Sequence, residues 1–342
     1  MEAALYDPEW GFYATGGHAG RRGDFITSVE VGPLFGAVVA RALDTWWHEL
    51  GSPRPYVVVD AGAGVGTLAR GVLAAAPECA AALRYVLVER SATLRAEHDR
   101  GLPVVLPVHA FAAAHEPDDD DEQPARVLPD GPLVLSLESL PPTGAHVVLA
   151  NELLDNLPVR LLERTGDGWA EIGVDEEFGE VRLPTTVTPT VEAAPGSRVA
   201  WQEGAARWLR EVLELAPRVV VFDYMTTTAR MAARPWTEWL RTYRGHERGG
   251  SPLTDVGEQD ITCEVALDQL AAVRPPSEVR DQRSFLTAHG VDALVDAGRL
   301  AWEQGAVRGG LEALRGRSRI REAEALTDLD GLGAFTVAEW SR

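Results

Sequence analysis

Cysteine is nearly absent from this 342-residue chain: Cys79 and Cys263 are its only two, far apart and without C-x-x-C spacing. A disulfide framework and a cysteine zinc site are therefore excluded. None of the eight histidines stands in an H-x-x-x-H pair, so no metal is expected. Positive charge is also scarce, with 32 Lys+Arg against 52 Asp+Glu and a net charge of −20. Such a field repels phosphate backbones, so a nucleic-acid partner is not expected. No apolar run approaches the ~20 residues that cross a bilayer, and no membrane association is expected. The start, Met1 to Pro8, has no basic segment leading into an apolar one, which argues against a secretory signal and for a cytoplasmic protein.

What is present is a strand, a glycine turn and a helix in immediate succession: Val57-Val58-Val59-Asp60-Ala61-Gly62-Ala63-Gly64-Val65-Gly66-Thr67-Leu68. A continuous β-branched run fits a strand covered on both faces, and glycines let the backbone curl closely round a ligand. The dinucleotide fingerprint needs glycine at the first, third and sixth positions, but the sixth place counted from Gly62 is Thr67. The pattern is G-x-G-x-G, closed on its strand side by Asp60. It resembles the first motif of S-adenosylmethionine (SAM) methyltransferases, while a tight packing turn remains its simpler reading.

The rest of the chain alternates in the same way. An amphipathic helix is expected over 34–50, ended by Gly51-Ser52-Pro53, and a second over 67–76. Strands are expected at 56–60, 85–88, 104–108, 147–150 and 218–224, with a helix over 91–100 and another over 201–216. The Asp118 to Glu122 run reads as a solvated surface loop. Gly and Pro interleaved with β-formers over 159–195 suggest hairpins. The C-terminal part reads as helices near 290–306 and 310–326, then a last strand at 334–340. The expected fold is α/β, Rossmann-like and doubly wound with a mostly parallel sheet, preceded by an N-terminal helical segment and carrying an inserted substrate lobe. The domain reading is a cap and pocket segment over 1–50, a core over 51–158 and 217–342, and a β-rich lobe over 159–200.

Ligands of open parallel sheets lie beyond the carboxyl ends of the strands. Collecting the residues there gives Asp60 with Gly62, Gly64, Gly66 and Thr67, then Glu89, then Asn151-Glu152 with Asp155, then Asp223-Tyr224. Glu89 stands where an acid accepts both hydroxyls of a ribose. Glu152 and Asp155 are the catalytic candidates, because paired carboxylates orient a guanidinium or amine by bidentate hydrogen bonds and offset its charge. Asn151 and Glu152 also suit the capped start of a helix. Arg241, Arg244, His246 and Arg248 form a basic patch, either a receptor for acidic groups or a solvated loop paired with nearby acids.

Several motifs together resemble one family, the MidA-like SAM-dependent methyltransferases, which include the mitochondrial complex I assembly methyltransferase. They are Ala4-Leu5-Tyr6-Asp7-Pro8-Glu9-Trp10-Gly11-Phe12-Tyr13, Gly23-Asp24-Phe25-Ile26-Thr27-Ser28-Val29-Glu30, and Ala150-Asn151-Glu152-Leu153-Leu154-Asp155-Asn156-Leu157-Pro158-Val159. Leu240 to His246 and Gly257-Glu258-Gln259-Asp260-Ile261-Thr262 complete the set. The resemblance implies a SAM loop at Gly62, Gly64 and Gly66, a ribose held by Glu89, and Asn151-Glu152 bordering cofactor and substrate nitrogen. Asp24, Thr27 and Glu30 then complete the pocket. It further implies N-methylation of an arginine on a protein partner, and a helical segment upstream of Met1. Ala63 and Met225 depart from the family's usual proline and glycine, which keeps small-molecule O- or N-methylation open. A SAM-binding assembly factor without turnover is the reading from another class.

Overall fold

The computed structural model describes residues 1–17, 27–111, 114–115, 126–127, 129–142, 144–245, 247–305 and 310–342. The acidic run Asp118 to Glu122, Asp24 and His246 lie outside the described residues. The chain divides into two compact units, one of Thr27–Leu149 with Asp281–Ala334, the other of Met1–Ile26, Ala150–Arg280 and Phe335–Arg342.

The first unit is built on parallel strands. β1 (Tyr56–Ala61) and β2 (Leu83–Val88) are buried along their whole length, and β1 pairs with β2 from Tyr56↔Leu83 to Ala61↔Val88. β2 pairs in parallel with β3 (Leu133–Leu137). The start of β4 (Val147–Asn151) lies next to β1 in strand order, where the His146 N–H donates to the Val57 carbonyl at 2.8 Å. Strands covered on both faces are largely apolar, which is why these are rich in Val and Leu, with Asp60 of β1 and Arg84 of β2 as buried polar exceptions. Two helices frame the connections. α1 (Pro33–Glu49) buries Leu34, Phe35, Val38, Val39, Ala42, Leu43 and Trp46 on one face, and α2 (Thr67–Ala74) packs against it where Gly36 and Gly71 let the backbones approach. The helices Val291–Gly305 and Leu311–Thr327 cross closely at Gly298 and Gly316, where a Cβ on Gly316 would lie 2.2 Å from the Gly298 carbonyl oxygen.

The second unit begins with the end of β4. A four-stranded antiparallel sheet follows from β5 (Arg160–Arg164), β6 (Trp169–Val174), β7 (Glu180–Pro184) and β8 (Arg198–Trp201), in the order β8-β5-β6-β7. Glu163 is buried on it and neutralised by Arg182 at 2.5 Å and Arg198 at 2.9 Å. β9 (Arg218–Asp223) is flanked by β4 on one side. On the other side it pairs antiparallel with the C-terminal strand Thr336–Ser341. The core of this unit gathers Leu5, Phe12, Leu162, Met231, Trp239 and Ile261.

Two expected elements are corrected. No strand forms over 104–108; Val104 makes a single bridge to Val134 and Pro107 opens a short helix, Pro107–Phe111. Prolines at 103 and 107 deprive that stretch of ladder donors. The third strand of the parallel sheet is instead Leu133–Leu137. The helix expected over 91–100 is a single turn, Ala92–Arg95, capped by Ser91.

Candidate functional site

In the first unit the glycine loop adopts the conformation its spacing demands. Gly62, Gly64 and Gly66 have φ of 73°, 55° and 83°, left-handed backbone that side chains with a Cβ rarely adopt. The N–H groups of Gly62 and Ala63 donate to the Val88 carbonyl at 2.9 and 3.0 Å, and Gly66 N–H donates to the Ala63 carbonyl at 2.8 Å. Thr67 is the first residue of α2, so the loop ends at a helix start. Glu89, just past β2, is buried and its carboxylate is already oriented: Oε2 accepts Gly64 N–H at 3.0 Å and Oε1 accepts Ser91 N–H at 2.7 Å. Burial pushes its pKa up, partly offset by those two donors.

Asp60 is 2% exposed and accepts the Tyr85 hydroxyl at 3.2 Å. Burial raises its pKa to about 7, and the Glu89 charge adds to the shift. Thr27 precedes the single helical turn Ser28–Val31 of this unit and Glu30 lies within it. The Thr27 hydroxyl is buried without a hydrogen-bond partner among the described residues.

In the second unit the Asn151–Asn156 segment is not the start of an α-helix. Asn151 ends β4, Glu152 has φ of 51°, and a 3-10 turn covers Leu154–Asn156. Left-handed backbone at a glutamate is a strained conformation of the kind held at functional sites. It is fixed here by Glu152 N–H donating to the Phe222 carbonyl at 2.8 Å, and Asn151 Nδ2 donates to Glu152 Oε1 at 3.2 Å. Asp155 is 3% exposed, and its Oδ1 accepts no hydrogen bond from any described residue. Burial, with the charges of Asp223 and Asp260, pushes its pKa well up.

Asp223, collected from the sequence at the end of its strand, joins this cluster, and so do Asp260 and Tyr13, which had been given no role in the site. Asp223 accepts the N–H groups of Leu154, Asp155 and Tyr224, and burial with the nearby Glu152 charge raises its pKa to about 8. Asp260 Oδ1 accepts Tyr13 O–H at 3.0 Å and Asn156 Nδ2 at 3.1 Å. Tyr6 donates to the Asn156 carbonyl at 3.2 Å and stacks on Tyr13 with centroids 5.5 Å apart. Three of the motifs, at Tyr6 and Tyr13, at Asn151 to Asn156 and at Asp260, thus meet in one hydrogen-bonded network.

The basic patch resolves into ion pairs: Arg241 with Glu264 at 2.6 Å, and Arg244 with Glu258 at 2.8 Å and Asp255 at 3.4 Å. Among the described residues no cluster of His, Cys, Asp and Glu is arranged to hold a metal, and no helix is long and apolar enough to cross a membrane.

The family model for S-adenosyl-L-methionine-dependent methyltransferases matches residues 38–277, more than half of the chain. The mitochondrial protein arginine methyltransferase NDUFAF7 homolog of Drosophila melanogaster is 28% identical over 296 residues, 78% of this chain and 63% of that protein. Mitochondrial NDUFAF7 of Danio rerio is 25% identical over 86% of this chain and 72% of its own length. The chain thus spans about two thirds of these relatives. A candidate methyl transferase from Burkholderia thailandensis, crystallised with S-adenosyl-homocysteine, superposes with a TM-score of 0.75 at 25% identity, covering 100% of this chain and 86% of that one. The cytoplasmic expectation is corrected by these names: the matching curated relatives are mitochondrial, so a start without a secretory signal does not assign the chain to the cytoplasm. The chain belongs to the S-adenosyl-L-methionine-dependent methyltransferases, and S-adenosyl-L-methionine is its cofactor.

Proposed function

We propose that the chain transfers a methyl group from S-adenosyl-L-methionine to a nitrogen of an arginine side chain on a protein partner. Glu152 carries the reading: a carboxylate held in left-handed backbone at the end of β4, three residues before the buried carboxyl of Asp155. Two carboxylates match the bidentate geometry of a guanidinium. The relatives named protein arginine methyltransferases support the acceptor.

The cofactor supplies an electrophilic methyl; the new N–C bond forms as the S–C bond breaks, leaving S-adenosyl-homocysteine. In the first unit Gly62, Gly64, Gly66, Thr67 and Glu89 would hold the cofactor, together with Asp60, Thr27 and Glu30 of the same unit. Glu152 orients the acceptor nitrogen, so that position rather than acid–base strength does most of the work. The methylated nitrogen must shed a proton, and Asp155, whose ionised carboxylate is made more basic by burial and by the charges of Asp223 and Asp260, accepts it.

The test is a cell lysate incubated with the purified chain and trideuteromethyl SAM, followed by peptide mass spectrometry. Arginine peptides bearing the heavy methyl are expected. A heavy methyl found only on small molecules, or on nothing, overturns the acceptor assignment.

A further inference from the structure

The glycine loop of the first unit is held at both backbone polar groups of one residue, Gly64. Gly64 N–H donates to Glu89, and the Gly64 carbonyl faces His98 Nε2 at 2.8 Å. A carbonyl oxygen only accepts, so Nε2 carries the hydrogen. The other ring nitrogen, Nδ1, lies 2.8 Å from the hydroxyl of Ser136 on β3 and accepts from it in the neutral ring. His98 is fully buried, and that burial, with Arg70 and Arg95 nearby, holds its pKa down, consistent with a neutral ring of one tautomer. Its Cδ2 is also 3.5 Å from where a Cβ on Gly66 would stand, so the ring packs beneath two of the loop's three glycines.

We infer that His98 is a positioning residue for the cofactor: fixed by Ser136, it clamps the Gly64 carbonyl and sets the loop before the cofactor arrives. The inference rests on the loop being the SAM site. The physical need is specific to glycines. Three of them in five residues give the loop large conformational entropy, which binding would otherwise have to remove, and a loop ordered in advance binds more tightly. Arg70 adds a lesser restraint by donating to the Val65 carbonyl at 2.8 Å and the Thr67 hydroxyl at 3.1 Å. Glu89 cannot do the work alone, because it holds only the peptide before Gly64 and leaves the one after it, which carries the Gly64 carbonyl, unheld.

The test is calorimetric titration of S-adenosyl-homocysteine into the full chain and its His98→Leu, His98→Gln and Ser136→Ala variants, each melted in parallel. His98→Leu removes the donor and should weaken binding about ten-fold. Glutamine keeps an N–H at comparable reach and should restore affinity to within about three-fold of wild type. Ser136→Ala, which frees the ring to turn, should weaken it about three-fold. A merely structural histidine would lower the melting temperature while affinity, measured well below it, stayed put. The inference is overturned if His98→Leu binds within two-fold of wild type, or if glutamine rescues nothing. Should the leucine variant not fold, Ser136→Ala decides, with unchanged affinity counting against the clamp. Failure of the wild type to bind S-adenosyl-homocysteine would instead remove the cofactor assignment beneath it.

Discussion

Asp223 Oδ2 accepts the backbone N–H of Leu154 at 2.9 Å and that of Asp155 at 3.3 Å, so the last residue of β9 holds the turn that carries the candidate catalytic acids. Without it, two N–H groups in a buried turn lose their acceptor. Asp223→Ala should destabilise the fold by about 2–4 kcal/mol, read by urea denaturation. Asp223→Asn keeps one acceptor oxygen and should fall between wild type and alanine. Equal stability of wild type and the alanine variant would show that the turn is held some other way.

Asp60 gives stability a pH dependence of definite sign. Its folded pKa, raised to about 7 by burial, lies above the ordinary aspartate value of 3.8, so the folded chain binds a proton there that the unfolded chain releases. Its contribution is fully present below about pH 4 and lost as pH rises through about 7. Across that window wild type should lose stability relative to Asp60→Asn, which keeps an acceptor for Tyr85 but cannot ionise. Urea midpoints for both proteins at several pH values between 5 and 8 read the difference. Parallel curves would contradict the buried, protonated carboxyl.

The start of α1 is capped from a distance. Gly32 supplies no side chain there, and Glu322 of the helix Leu311–Thr327 places Oε2 2.8 Å from the Leu34 N–H, with Oε1 accepting the Ser318 hydroxyl at 2.6 Å. A Cβ on Gly32 would lie 2.2 Å from the Glu322 carboxyl carbon. Glu322→Ala should cost about 1–3 kcal/mol through the lost charge-assisted acceptor, and Gly32→Ala should also destabilise by collision. Thermal melts of both variants check this, and a Glu322→Ala melt matching wild type would refute it.

How much of this was legible in the sequence follows from what each element needs. β1, its glycine turn and β2 were readable because a strand buried on both faces is mostly apolar and glycine favours left-handed turns, here three in five residues. Leu133–Leu137 was not read, because it follows a long stretch without periodicity and carries Ser136, whose hydroxyl meets His98. The strand expected over 104–108 failed on Pro107 within it and Pro103 just before it. Glu152 was singled out for its chemistry, but its left-handed backbone has no local signal: glutamate does not favour it, and the Phe222 carbonyl that fixes it lies seventy residues on. Asp260 and Tyr13 stood in motifs quoted only for resemblance, and their role emerges where they share a hydrogen bond 247 residues apart in sequence.

The most direct measurement counts heavy methyl on arginine after incubating trideuteromethyl SAM and an acceptor-bearing lysate with either wild type or Glu152→Gln. Wild type should place the label in methylarginine, and the glutamine variant should lower its rate by about 10²-fold or more while still binding S-adenosyl-homocysteine. Equal labelling by both proteins, or S-adenosyl-homocysteine binding with no label on arginine in either, would contradict the account.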